Sequence, residues 1–142
     1  MIFKELKNFN AKDLLDINKL LKQWSDKGYQ MKPSYFKKLI KKSHILCLYD
    51  KGTIVGTVTL VKVHKLSGLK GSVEHLILDQ RYRGRGLGEK LMRFAVQYAK
   101  KLKIETLFLT CEPERKIANK LYRKLGFKIK NTNFYQLPLK NE

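Results

Sequence analysis

Six residues, Arg83-Gly84-Arg85-Gly86-Leu87-Gly88, bring together three glycines and two arginines. They follow a run that reads as a strand, Ser72 to Leu78, and open a helical one. Glycine lets a backbone come close to a ligand and take positive φ. The first N–H groups of a helix, with the positive end of its dipole, favour an anion such as phosphate. Arg83 and Arg85 add charge at the same place. Two familiar phosphate loops do not fit. The dinucleotide fingerprint needs a glycine where Glu89 stands, and the P-loop needs Lys-Ser/Thr after its last glycine.

The elements that must position this loop are readable from spacing. Residues 2–7 form a first strand. Asn10, with Asp13 three positions on, marks a helix start. Leu14, Ile17, Leu21 and Trp24 then recur at helical spacing up to Lys27-Gly28, which reads Trp24 as part of a core stripe. Pro33 opens a second helix with Phe36, Leu39 and Ile40 as its buried side. His44–Tyr49 and Thr53–Val63 form a hairpin around Asp50-Lys51-Gly52. Residues 66–71 read as a flexible connection to the strand Ser72–Leu78. After the loop, Leu87, Leu91, Ala95, Tyr98 and Leu102 give the next helix its apolar face. Glu105–Cys111 reads as a strand, and Glu114–Leu125 as a helix closed by Gly126. A last hairpin, Phe127–Ile129 and Phe134–Leu139, turns at Asn131-Thr132-Asn133. The order β-α-α-β-β-β-α-β-α-β-β describes an α/β (α+β) domain, a mixed central sheet flanked by helices, spanning residues 1–142 as one unit.

With these elements in place, the chain resembles the GNAT superfamily of N-acetyltransferases. The resemblance rests on Arg83 to Gly88, similar to the family's Gln/Arg-x-x-Gly-x-Gly/Ala signature that grips the pyrophosphate of acetyl-CoA. Val73-Glu74-His75-Leu76-Ile77-Leu78-Asp79 is similar to the family's fourth strand. Ala118 to Phe127 is similar to the helix and strand entry that close the cofactor site. Together these cover about residues 53–130.

The resemblance implies direct acetyl transfer from acetyl-CoA, with no metal. It assigns cofactor binding to the backbones of Leu76, Ile77 and Leu78, to Arg83, Gly84, Arg85, Gly86, Leu87 and Gly88, and to Asn119. A bulge in the fourth strand, a family feature, would aim the Leu76 N–H at the thioester carbonyl. Glu74 is the implied general base, against a plain exposed strand glutamate, and Tyr122 the implied general acid, against a core aromatic. His75 replaces an acid common in relatives; strand alternation puts it opposite Glu74, and it reads as structural. Arg115 stands where many relatives have a pantetheine-binding asparagine, which leaves Asn119 as the substitute. Cys111 reads as a small hydrophobe at the end of the fifth strand. Trp24, Tyr29, Met31, Tyr35 and Asn131 to Phe134 are the region from which an acceptor site would be built.

Composition bounds the reading. Lys+Arg number 31 against 12 Asp+Glu, a net charge of +19. The surplus is +10 over residues 1–72 and +9 over residues 73–142, with no basic tail. That even lysine coat argues against nucleic acid as the main partner. Only six residues are arginine, and five of these fall between Arg81 and Arg115. Cys47 and Cys111 are too few for a disulfide framework. No apolar run approaches membrane-spanning length, and the start lacks signal-peptide features, so a cytoplasmic setting without membrane contact is expected. The expected acceptor is a small-molecule amine or amino acid, with a protein N-terminus or lysine as runner-up. A non-catalytic acyl-CoA-binding module is the rival from another class, and assembly as a homodimer stays open.

Overall fold

The computed structural model describes residues 1–140. Contacts divide the chain into two compact units, Met1–Thr110 and Cys111–Glu142. The first unit is built on a five-stranded sheet in the order β1-β2-β3-β4-β5. Its strands are β1 (Ile2–Leu6), β2 (His44–Asp50), β3 (Thr53–Lys65), β4 (Gly68–Leu78) and β5 (Thr106–Phe108). β1 to β4 are antiparallel neighbours, and β5 joins β4 in parallel.

Three helices cover this sheet. α1 (Ala11–Trp24) starts at Asn10, whose side chain accepts from the N–H groups of Lys12 and Asp13. α2 (Pro33–Lys42) starts on Pro33, whose missing N–H costs nothing in a first turn. α3 (Leu87–Lys101) follows the glycine-rich loop. Leu14, Ile17 and Leu20 of α1 join Phe36 of α2 and Ile45, Cys47, Tyr49, Ile54 and Ile77 of the sheet in one core. A smaller cluster on the α3 side holds Leu48, Val55 and Leu87, with Leu78 and Tyr82 packed against it.

Several local expectations are met by specific geometry. Lys51 and Gly52, at φ of 49° and 80°, make the two-residue turn between β2 and β3. The stretch 66–71, expected to be flexible, is mostly strand: β3 and β4 pair through Lys65↔Gly68, leaving Leu66 and Ser67 as the turn. Gly71 serves close packing instead. A Cβ there would lie 2.8 Å from Leu107 Cδ2 and 3.0 Å from Ile104 Cγ2, so its absence lets the approach to β5 close up. β5 is three residues rather than the expected seven, and Cys111 lies beyond its end.

The second unit carries α4 (Lys116–Lys124). The expected final hairpin is not formed: residues 127–139 hold no strand. Pro138 removes a donor from its second arm, and Ile129, Phe134, Tyr135, Leu137 and Leu139 are all exposed. Among the described residues no helix is long and apolar enough to cross a membrane.

Candidate active site

The centre of β4 is irregular. Thr59 pairs with Glu74, but Thr57 pairs with Ile77, so β4 spends one more residue than β3 over the same stretch. This is a β-bulge, and His75 carries it at φ 51°. Parity changes as a result. Thr57 faces the α1–α2 core, with its hydroxyl near Cys47 Sγ, and Thr59 lies two residues on, on the same face. Glu74 therefore faces the α1 side. The expectation that His75 lies on the opposite face fails, because the His75 ring meets Trp24 of α1 edge-on at 4.7 Å.

Glu74 is exposed, and its carboxylate accepts a hydrogen bond from the buried hydroxyl of Ser72. Ser72 is also where β4 and β5 part company. Their pairs run Lys70↔Thr106, Gly71↔Leu107 and Ser72↔Phe108, and no further. From Val73 onward β4 has no β5 partner along that edge. Ile77 is buried in the α1–α2 core and Leu78 packs on the α3 side, so these two side chains are anchors.

At the end of β4, Asp79 organises the turn into the loop. Its carboxylate accepts from the Arg81 N–H at 2.9 Å and from the Arg81 guanidinium at 3.2 and 3.0 Å. Those bonds to Arg81 hold its carboxyl below the usual carboxylate range, against the opposing effect of burial. Gln80 N–H donates to Gln23 Oε1 at 2.9 Å, which ties the end of α1 to this turn. Arg83 Nε donates to the Leu78 carbonyl at 3.1 Å. Arg85 Nη2 donates to the Arg81 carbonyl at 3.2 Å, and its guanidinium lies over the Tyr82 ring at 5.2 Å. Tyr82 in turn donates to Asp50 Oδ2 at 2.6 Å.

Gly84 and Gly86 sit at φ of 79° and 74°, the left-handed region that favours glycine. Gly86 is the N-cap of α3 and has no side chain to accept from the first-turn N–H groups. Leu87 is buried and pins the helix start to the core. A Cβ on Gly84, Gly86 or Gly88 would meet nothing within 4 Å. The protein itself does not fill this space, so the loop, the bare helix terminus and two arginines fit the diphosphate of a coenzyme A-type ligand.

In the second unit, Tyr122 is the one buried residue of α4, with Phe127 at a ring distance of 5.9 Å. Burial, and then the neighbouring Cys111, push its phenol above the usual range, so it stays protonated at neutral pH. Asn119 Nδ2 donates to the carbonyls of Glu112 and Arg115 at 2.9 and 2.8 Å. Both of its amide hydrogens are thus committed to bracing the start of α4, leaving Oδ1 as its free-facing chemistry. The Cys111 thiol donates to the Glu112 carbonyl at 3.7 Å, and Cys111 and Arg115 both lie within electrostatic reach of the Tyr122 phenol. Among the described residues no group of His, Cys, Asp and Glu could hold a metal ion.

Sequence spacing missed two participants, Ser72 behind Glu74 and Asp79 beneath the loop, and it missed the contact of Trp24 with His75. Trp24, read as core, is 38% exposed. The buried stripe is Leu14, Ile17 and Leu20, and α1 ends at Trp24. Asp79 had a legible signal, since aspartate two residues before a polar turn caps its N–H groups.

Known proteins bear on this geometry. A glucosamine 6-phosphate N-acetyltransferase of Arabidopsis thaliana is 28% identical over 94 residues, which is 62% of this chain and 61% of that protein. The chain thus spans about three fifths of that curated relative. A crystal structure of an aminoglycoside acetyltransferase from an uncultured soil metagenomic sample, in complex with trehalose, superposes with a TM-score of 0.81 at 17% identity, covering 98% of this chain and 96% of the other. A ribosomal-protein-alanine N-acetyltransferase from Brucella melitensis gives 0.76 at 18% identity, covering 98% and 100%. At such identities these two structures speak for the fold. The sequence model of the acetyltransferase (GNAT) family matches residues 11–127, through β4, the Arg83–Gly88 loop and α4, and the chain belongs to that family.

Proposed function

We propose that the chain is an N-acetyltransferase that moves the acetyl group of acetyl-CoA directly onto a primary amine of a small molecule or amino acid. One observation carries this reading: a bulged strand whose edge is left unpaired runs straight into a glycine-capped helix N-terminus flanked by arginines. The first part suits an extended ligand arm that bonds to main chain, and the second suits its diphosphate. The family match runs across the boundary between the two compact units, which supports reading them as one functional domain.

When bound, acetyl-CoA supplies an acetyl thioester, activated for attack by an amine. The chain's residues then divide the work. Arg83, Gly84, Arg85, Gly86, Leu87 and Gly88 hold the diphosphate, the glycines and Leu87 through backbone N–H groups. The main chain of Leu76, Ile77 and Leu78 holds the pantetheine arm, and Asn119 contributes its Oδ1 as an acceptor. The Leu76 N–H, in the bulged stretch between the Glu74 and Ile77 pairs, stabilises negative charge developing on an acyl oxygen. Glu74 takes a proton from the incoming ammonium, directly or through water, because an ammonium has no lone pair with which to attack. Tyr122 holds a proton at its phenolic oxygen for a departing thiolate, a task suited to a phenol kept protonated by burial.

The test is calorimetric titration with acetyl-CoA followed by an amine panel read by CoA release. Glu74→Gln should lower kcat roughly a hundredfold with acetyl-CoA affinity retained, and Tyr122→Phe should lower kcat more than affinity. No acetyl-CoA binding would remove the whole reading. Binding with no turnover on any amine, small or protein-borne, would leave a non-catalytic acyl-CoA module.

A further inference from the structure

Beside Glu74 stands a wall of three rings. Trp24 meets His75 at 4.7 Å on one side and Tyr29 at 5.8 Å on the other. Trp24 and Tyr29 are 38% and 47% exposed, so the rings show surface to solvent instead of filling a core. The wall is braced from both ends. Gln23 accepts from the Gln80 N–H at 2.9 Å, fixing the end of α1 to the exit of β4. Asn18 clamps Met31 twice, donating to its carbonyl at 3.1 Å and accepting from its N–H at 2.8 Å, which folds the Tyr29 segment back onto α1. His75 is held in the left-handed region at the bulge, next in sequence to Glu74. A solvent-facing hydrophobic cluster built this firmly beside a carboxylate has the form of a recognition surface.

We propose that the Tyr29–Trp24–His75 wall recognises the acceptor, and that the acceptor is an amino sugar carrying an anionic substituent such as phosphate. This deepens, and rests on, the acetyltransferase reading and the Glu74 role. The flat C–H face of a sugar ring packs on aromatic faces, while its ammonium lies toward Glu74. Charge selects the rest. The end of α1 and the segment after it expose Lys22, Lys27 and Lys32 against the single Asp26, on a chain of net charge +19. That field repels a polyamine and favours an amine whose charge is balanced by an anion. Lys27, exposed and lying between Trp24 and Tyr29 in sequence, is the cation chosen to test this.

Trp24 is the only tryptophan in the chain, so its emission reports on this surface alone. The full chain, with CoA bound, would be titrated with glucosamine 6-phosphate, glucosamine and spermidine while Trp24 fluorescence is followed. CoA release would be measured with each amine in parallel. Glucosamine 6-phosphate should give a saturable change in emission and a kcat/KM at least tenfold above the other two. Trp24→Ala should raise its KM roughly tenfold, and Trp24→Phe should recover most of that loss. Lys27→Ala should raise KM two- to threefold for the phosphorylated sugar and not for glucosamine. Preference for spermidine, an unaltered KM in Trp24→Ala, or no response to glucosamine 6-phosphate by a chain that binds acetyl-CoA would overturn the proposal. Loss of acetyl-CoA binding itself would instead strike the acetyltransferase reading.

Discussion

Gly88 offers a way to separate what the protein needs from what a ligand needs. It is the second residue of α3, and its φ is not in the left-handed region. A Cβ there would meet nothing within 4 Å. For the protein alone, then, alanine is the better residue, worth up to about 0.5–1 kcal/mol in a helix. In a chain of this size that corresponds to a melting temperature higher by about 2–4 °C at most. Gly86 has the same open surroundings but sits at φ 74°, where a Cβ costs about 1–2 kcal/mol. Gly86→Ala should therefore melt lower and Gly88→Ala slightly higher. Both place a methyl group where a phosphate bound at this loop would approach the first-turn N–H groups. Each should weaken coenzyme A binding at least tenfold, about 1.4 kcal/mol. Thermal unfolding of the ligand-free proteins and calorimetry with CoA measure the two effects independently. If Gly88→Ala binds CoA as tightly as the parent, the loop is not the phosphate cradle. If it melts several degrees lower, the glycine answers to an internal contact and the space beside it is not open.

Other consequences concern the core and its titrating groups. Phe36 is fully buried between α1 and the sheet, so Phe36→Ala should cost about 3–5 kcal/mol, seen as a lower urea midpoint; a loss under 1 kcal/mol would contradict the packing. Burial pushes the Cys47 thiol up to about 12, whereas Cys111 is only half-buried. A thiol reagent at pH 8 should label one cysteine in the native protein and two in denaturant; rapid labelling of both natively would refute the burial of Cys47. Burial and then the Glu5 carboxylate likewise raise Tyr98 to about 12. Both groups are acids whose folded values lie above their ordinary 9.0 and 10.0, so the unfolded chain releases these protons first. Their stabilisation is present below about pH 9 and is lost as pH rises toward 12. The urea midpoint should fall across that window, and less steeply in Tyr98→Phe.

Where side-chain chemistry alone decides conformation, the sequence is a good guide. Pro33, Asn10, Lys51-Gly52 and the Gly86 cap each impose a local geometry that survives into the structure. Legibility fails where tertiary partners decide. The bulge at His75 holds a non-glycine residue at positive φ, and nothing in the residue itself announces that. Pairing of Thr57 and Thr59 with Ile77 and Glu74 imposes the bulge, and the Trp24 ring packs on it. Trp24 illustrates the same limit: it keeps the helical spacing of a core residue, but α1 ends on it, so no further turn or neighbouring helix encloses it. The glycines at 68 and 71 look like flexibility in sequence and serve packing against Glu105, Ile104 and Leu107. Which pairs of residues meet across the Tyr29–Trp24–His75 wall depends on Gln23–Gln80 and Asn18–Met31, contacts of long sequence separation.

The same distinction applies to the charge. A net +19 spread over the surface attracts any anion weakly, and salt screens it within about 8–10 Å. Arg85 works differently. One of its N–H groups is spent on the Arg81 carbonyl, and its guanidinium face rests on Tyr82, itself anchored to Asp50. The remaining donors sit on a guanidinium already oriented by these two contacts, so little rotamer freedom is left to lose on binding phosphate. Arg85→Lys keeps the charge but loses the stack and the fork. It should weaken coenzyme A about five- to tenfold, while Lys62→Ala, which removes an exposed lysine of β3, should change affinity less than twofold. If both variants bind alike, the diffuse field alone explains the attraction and the ordered arginine adds nothing. If only Arg85→Lys weakens, geometry rather than total charge selects the cofactor, and the lysine coat is left to act on whatever approaches from farther away.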